Sequence, residues 1–236
     1  MKISLIIPAH NEEKYIKNCL KNALQNGAGL SEIIVVNNAS TDKTTEVAVS
    51  FTGVKVVNEP VKGLTKARQR GLKESDGEIV AFVDADTKMP AGWVEKIHKA
   101  FQDNPKLVCF SGRYIYYDIS PFAKLMVWIY WHFFAYIAYL ITGYMAVGGN
   151  FAAKRSALEK IRGFDENISF YGEDTNIARR LSKVGKVTFT TGLYMYTSGR
   201  RFKDEGLINV AFKYISNFLS EVFLKKPLTK EYKDVR

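Results

Sequence analysis

Cysteine is almost missing from this chain of 236 residues: Cys19 and Cys109 stand far apart, without the close spacing of metal ligands. That excludes a disulfide-stapled fold and a zinc ribbon, and it fits two reduced, buried thiols in a cytosolic protein. Nothing near Met1-Lys2-Ile3-Ser4 has the basic, apolar and small-residue order of a secretory leader, so none is expected. Internal repeats and low-complexity tracts are lacking too. No G-x-G-x-x-G follows the first apolar run, which argues against a dinucleotide site of the Rossmann type. Acidic residues are in deficit, 24 against 34 Lys and Arg, for a formal charge of +10. The cations form no continuous patch interleaved with aromatics, so nucleic acid is not an expected partner. Phosphate groups or acidic lipid headgroups are.

With 47% hydrophobic and 25% charged residues, the chain can build a sizeable core. Its length suits one large α/β domain or one domain with an added helical part. Short β-branched runs at 3–7, 33–36, 54–57 and 79–83 have the character of buried parallel strands. Helical stretches lie between them: 12–25 after Asn11 as an N-cap, 43–50 after Ser40-Thr41-Asp42, and 64–74 after Gly63. This rhythm predicts a doubly wound, mostly parallel sheet with right-handed crossovers. Polar residues gather at the strand ends: Pro8-Ala9-His10-Asn11-Glu12, Asn37-Asn38, Asn58-Glu59 and Asp84-Ala85-Asp86. In a parallel sheet these ends share one edge, where ligands bind at the topological switch point.

Asp84 and Asp86 would repel each other at the end of a buried strand unless a cation or hydrogen-bond donors satisfied them. A hard divalent ion does so, and it also neutralises charge on a departing diphosphate. A solvated turn with one Asp capping the next helix is the plainer alternative. The stretch 62–71 opens a helix with Gly63 and several cations, which suits a diphosphate or a basic solvated face. Glu173-Asp174 opens a helical run over 175–183, where acidic residues serve either as caps or as a general base with its neighbour.

In their order, Pro8-Ala9-His10-Asn11-Glu12, 36–42, 62–71, Asp84-Ala85-Asp86, Gly149-Asn150-Phe151-Ala152 and Glu173-Asp174 resemble the family 2 glycosyltransferases, over residues 1 to about 202. The resemblance implies a GT-A fold, a UDP- or GDP-sugar donor, Mg2+ or Mn2+, and inversion at the anomeric carbon. It places Pro8, Ala9, Glu12, Asn38, Arg68, Asp84 and Ala85 around the nucleotide and its phosphates. Asp86 becomes the main metal ligand with Asp84 beside it, and Gly148-Gly149-Asn150 the backbone near the donor sugar. Asp174 becomes the base, with Glu173 next to it. Asn37-Asn38 departs from the family, which usually carries an Asp there. The Gln-x-x-Arg-Trp motif of processive synthases is absent, and Arg200-Arg201 stands in its general place, as diphosphate clamps or as surface charges. A sugar-phosphate nucleotidyltransferase is the rival reading, although the Gly-rich basic loop of that class is missing after the first strand.

The implied layout is a catalytic domain over 1–204, with a nucleotide half to 117, a hydrophobic insert at 118–147 and an acceptor half from 148. A C-terminal amphipathic helix and basic tail follow over 205–236. The stretch 121–147 is nearly uncharged, dense in aromatics and long enough to span a bilayer. A span there would put the two acidic motifs on opposite sides of the membrane. The alternatives are a helix or re-entrant hairpin in the bilayer interface, a contact with a second copy, and burial in the protein's own core. With the helix at 207–224 and Lys225-Lys226, the expectation is a cytoplasmic protein, peripheral on the inner membrane face, whose hydroxyl acceptor is a glycan or lipid-linked.

Overall fold

Apolar runs without charge can sit in the centre of a sheet, because both faces of such a strand are buried. The runs at 3–7, 33–36 and 79–83 do so here, whereas the run at 54–57 carries Lys55, forms the edge of the sheet and is only half-buried. The computed structural model describes residues 1–168 and 170–229. Strands β1 (Ile3–Ala9), β2 (Glu32–Asn38), β3 (Val54–Glu59) and β4 (Ile79–Val83) alternate with helices α1 (Ile16–Asn26), α2 (Thr44–Val49) and α3 (Leu64–Glu74). The chain continues through α4 (Trp93–Asp103), β5 (Leu107–Tyr116), an apolar helix, β6 (Asn150–Lys154), α7 (Arg155–Lys160), α8 (Glu173–Ser182) and β7 (Lys186–Thr197). Two further helices, α9 (Arg200–Glu205) and α10 (Leu207–Leu224), follow.

The seven strands form one sheet in the order β3-β2-β1-β4-β6-β5-β7, with β6 antiparallel to both of its neighbours and every other pairing parallel. The order reverses between β1 and β4, so the switch-point crevice opens where Ala9–Glu12 faces Asp84–Asp86. Ile3, Leu5 and Ile7 of β1 pack with Cys19 and Leu20 of α1 and Trp93 and Ile97 of α4. Ile6 faces the other way, into a layer with Ala67 of α3, Phe82, Phe151, Leu158 of α7 and Ile177 of α8. Both cysteines are buried and unpaired, and burial pushes each thiol up to about 12, which leaves them inert.

The first helix starts at Ile16 rather than at Glu12. Asn11 is not its cap: it sits at φ 52, and its Oδ1 accepts the Thr41 N–H at 2.8 Å, tying the β1 loop to the β2 loop. The aromatic insert also differs from the hairpin expectation. It runs as one helix over Pro121–Thr142, made of α5 (Pro121–Ile129), a π-turn at Tyr130–Phe134 and α6 (Ala135–Thr142). Ser120 caps its start, Pro121 fits the first turn, and no Gly or Pro interrupts it before Gly143. Nor is it a core helix. Trp131 and Ala135 alone of its residues are buried, against Met145, Val147 and Phe189, while Phe122, Phe134, Ile137 and Ile141 face outward. The tail beyond Thr229 lies outside the described residues.

Candidate active site

The loops after β1 and β2 are stitched together by short side chains. Ser40 Oγ accepts the Asn11 N–H at 3.1 Å and Thr44 Oγ1 accepts the Glu12 N–H at 2.7 Å. This fixes Glu12 as a buried carboxylate in the crevice, beside the buried end of β1 at Pro8 and Ala9. Asn38 closes β2, but its amide works on the chain itself. Nδ2 donates to the carbonyls of Glu59 and Val61 at 3.1 and 2.8 Å, and Oδ1 accepts the Gly63 N–H at 2.8 Å. Both of its donors therefore shape the loop leading into α3.

Across the crevice, Asp84 follows β4 directly. Its Oδ2 accepts the Tyr114 hydroxyl at 2.7 Å, and its Oδ1 lies 3.2 Å from Arg68 Nη2. Ala85 turns into the core, which points Asp86 back to the crevice. There Thr197 Oγ1 donates to Asp86 Oδ1 at 3.3 Å, and Arg200 Nε lies 3.1 Å from Oδ2. Beside Asp86 opens a small cavity of about 180 Å³ lined in part by Lys14, Tyr15, Lys88 and Tyr117.

Arg68 is expected from the sequence to hold the nucleotide. Instead its guanidinium is buried and committed to the protein's own carboxylates: Asp84, and Glu173 at 2.5 Å. One cation thus joins the acidic motif after β4 to the one that opens α8. The glycines at 148 and 149 make room for this cluster. A Cβ on Gly148 would stand 2.4 Å from Glu173 Oε1, and one on Gly149 would stand 2.2 Å from both Asp84 Oδ2 and the Tyr114 oxygen. Asn150 starts β6 fully buried. It accepts Trp93 Nε1–H at 2.8 Å and donates to the carbonyls of Arg113 and Leu193, so its amide is spent holding strands in register.

Burial pushes the Glu173 carboxyl up to about 7, against the opposing pull of Arg68 and with the Asp174 charge adding to the rise. Its Oε2 has no hydrogen-bond partner among the described residues. Asp174 is half-buried and accepts the Thr175 N–H at 2.8 Å. Burial raises it as well, outweighing that hydrogen bond, and a raised carboxylate is a better proton acceptor. Tyr130 of the π-turn belongs to the same neighbourhood: burial, then the Asp174 charge, push its phenol up to about 12. The π-turn of the apolar helix therefore lies within electrostatic range of Asp174.

Arg200 and Arg201 are not surface charges. Arg200 makes a two-pronged contact with Glu12, at 2.6 and 2.8 Å, in addition to Asp86, and stacks over the Tyr15 ring. Arg201 turns the other way, pairs with Glu205 at 2.7 Å and lies over Phe170 and Tyr171. Tyr114, Tyr130, Tyr15 and the Arg68–Glu173 pair are site features that motif reading does not reach.

Among the described residues, no group of three or more His, Cys, Asp or Glu side chains gathers to hold a metal. Asp84 and Asp86 therefore offer at most two protein ligands. That fits Mg2+ or Mn2+ of the kind that completes its shell with substrate phosphates and water.

Residues 4–162 match the family model described as glycosyl transferase family 2, and the chain belongs to that family. A probable glycosyltransferase, YdaM, of Bacillus subtilis is 30% identical over 208 residues, 78% of this chain and 47% of that protein. The dolichol-phosphate mannosyltransferase of Pyrococcus furiosus is 30% identical over 221 residues, 82% of this chain and 57% of its own. The chain thus spans about half the length of these relatives. Among solved structures, the mannosyltransferase PcManGT of Pyrobaculum calidifontis, in complex with GDP-Man and Mn2+, aligns with a TM-score of 0.71 at 21% identity. That alignment covers 94% of this chain and 63% of the other. Glucosyl-3-phosphoglycerate synthase of Mycobacterium tuberculosis, with Mn2+, UDP and phosphoglyceric acid, gives 0.65 at 21%, over 94% and 78%. The fold is GT-A, and family membership favours sugar transfer over the nucleotidyltransferase alternative.

Proposed function

We propose that this chain catalyses metal-dependent, inverting transfer of a sugar from a UDP- or GDP-sugar to a hydroxyl acceptor. The observation that carries this reading is the Arg68 bridge, which sets the donor-side Asp84 beside Glu173-Asp174. Family membership and neighbours solved with GDP-Man or UDP and Mn2+ support it.

A divalent ion on Asp86 and Asp84 would supply positive charge to the leaving diphosphate. Asp174, held by Thr175, takes the proton from the acceptor hydroxyl as that oxygen attacks the anomeric carbon. The bond from that carbon to the diphosphate oxygen breaks, and its electron pair leaves with the nucleotide. Arg68 and Glu173 orient the acidic pair rather than meet the donor. A single base aligned against the leaving group gives inversion.

The acceptor is lipid-linked and the protein rests on a membrane face in the cytoplasm. The inverted burial of α10 favours this. Of its four buried residues only Val210 is apolar; Asn217, Ser220 and Glu221 are polar, and Glu221 is bonded to Asn176 and Arg179. Its apolar side faces out, as does that of the Pro121–Thr142 helix, and Phe218 joins the two. Helices that turn their polar residues inward suit a lipid interface. Lys124, Lys225 and Lys226 are exposed near these faces to meet acidic headgroups.

A screen of nucleotide sugars with Mn2+ or Mg2+ tests the reaction. Turnover should require metal, Asp86→Ala should abolish metal-dependent nucleotide binding, and Asp174→Asn should keep binding but lose at least about a hundredfold in transfer. Unchanged transfer by Asp174→Asn removes it as the base, and release of pyrophosphate in place of a nucleoside diphosphate restores the nucleotidyltransferase reading.

A further inference from the structure

Arg200 stands where the donor's charged groups belong. Its guanidinium forks onto Glu12 at 2.6 and 2.8 Å, and its Nε lies 3.1 Å from Asp86 Oδ2. The side chain is largely buried against Tyr15, and the neighbouring carboxylates hold its charge firmly. A metal ion on that Asp86 oxygen and the guanidinium cannot share it, because two cations in contact repel. The fork that fits a carboxylate also fits a diphosphate.

The backbone around Arg200 is arranged for movement to be passed on. It opens α9 directly after β7, at a corner where Asp118 accepts the Gly199 N–H at 2.5 Å and the Ser198 hydroxyl at 2.9 Å. The next residue, Arg201, lies over the rings of Phe170 and Tyr171, immediately before Gly172 and the Glu173-Asp174 pair. Past Gly206, at φ 80, the chain becomes α10, whose Glu221 holds Arg179 and Asn176 of α8. Two adjacent arginines therefore touch the donor crevice and the acceptor side respectively.

We infer that Arg200 is an exchangeable counter-cation: it neutralises Glu12 and Asp86 in the donor-free protein, transfers to the diphosphate when the metal-bound donor arrives, and passes that shift through Arg201 to the 170–174 segment. The inference rests on the metal–nucleotide reading of the crevice given above.

The test uses the full chain with Mn2+ alone and with Mn2+ plus UDP or GDP, comparing wild type with Arg200→Ala and Arg200→Met. Thermal melting establishes that each variant is folded. Mn2+ alone, followed by its electron paramagnetic resonance, should bind about tenfold tighter to the variants. The factor by which the nucleotide tightens Mn2+ binding should shrink about tenfold. In wild type, adding Mn2+ and nucleotide should change hydrogen exchange in both 200–206 and 170–174. In the variants the second change should vanish. Equal or weaker Mn2+ binding by the folded variants overturns the inference, as does wild-type exchange at 170–174 that ignores the nucleotide. A wild type that binds neither Mn–UDP nor Mn–GDP overturns the donor reading itself, a result distinct from either of these.

Discussion

Arg68 Nη1 lies 2.5 Å from Glu173 Oε1, and both side chains are nearly sealed from solvent. That pair is the strut between the two halves of the site. Removing one partner of a buried ion pair leaves the other charge uncompensated.

Arg68→Met should therefore destabilise the protein by about 3–5 kcal/mol at about pH 8 and above, where Glu173 is ionised, and by less at lower pH, where Glu173 takes up a proton. The Glu173 side should dominate, because Asp84 is about a third exposed and can hydrate. Arg68→Lys should rescue little, since an ammonium cannot fork between two carboxylates. Urea denaturation followed by circular dichroism measures this, and a loss below about 1 kcal/mol would remove the strut.

How legible this arrangement is from sequence depends on the residue. β1, β2 and β4 read clearly because strands buried on both faces become unbroken apolar runs, whereas the run of β3 is broken by Lys55 at the sheet edge. β7 does not: Lys186–Thr197 mixes Thr, Gly and Tyr, and its pairing with β5 shifts register between Gly112 and Arg113. The acidic motifs announce themselves by standing at strand and helix ends. Tyr114 gives no such signal, because only the sheet order brings its hydroxyl to Asp84. Arg68 and Asn38 show the opposite limit. Position places them at the crevice, yet only the folded geometry shows their polar atoms committed to the protein itself. The Asn11 cap fails for a related reason, since a side chain fit to cap a helix is equally fit to bridge two loops.

Glu173 should leave a mark on stability against pH. Its folded carboxyl titrates near 7, above the ordinary value of 4.5, because burial disfavours its charge. The folded state thus holds a proton that the unfolded chain has released. That contribution is full below about pH 4.5 and is lost as pH rises through about 7, with a limiting slope of about 1.4 kcal/mol per pH unit. Glu173→Gln should flatten this window. Parallel stability curves for the two proteins, measured by urea unfolding from about pH 5 to about pH 8, would discard the shift.

Gly149→Ala should act on the donor rather than on the fold. The added methyl would press on Asp84 Oδ2 and the Tyr114 oxygen, both 2.2 Å from its ideal position. The partly exposed Asp84 is the partner able to yield, and moving it disturbs the metal seat. Metal-dependent nucleotide affinity should fall about tenfold or more while unfolding stability drops by only about 1–3 kcal/mol. Full nucleotide affinity would show that Asp84 does not need this position.

The outward apolar face of α10 separates a lipid partner from a second copy of the chain. Phe212 and Phe223 are 70% and 74% exposed on it, while Glu221 holds the opposite face to α8. Changing either Phe to Glu leaves the packed face alone, so the melting temperature should stay within a few degrees. Each substitution should weaken cosedimentation with vesicles containing acidic lipid by at least tenfold, because burying one such ring is worth about 2 kcal/mol. Reversing Lys225 and Lys226 should matter only when the vesicles are acidic, at about 1 kcal/mol for each charge. If a second copy covers this face, lipid-free protein should instead be a dimer by sedimentation, and Phe212→Glu should release monomers with no vesicle affinity in either form. The charge reversal discriminates further, since Coulombic attraction to headgroups fades with added salt whereas an apolar dimer seam does not.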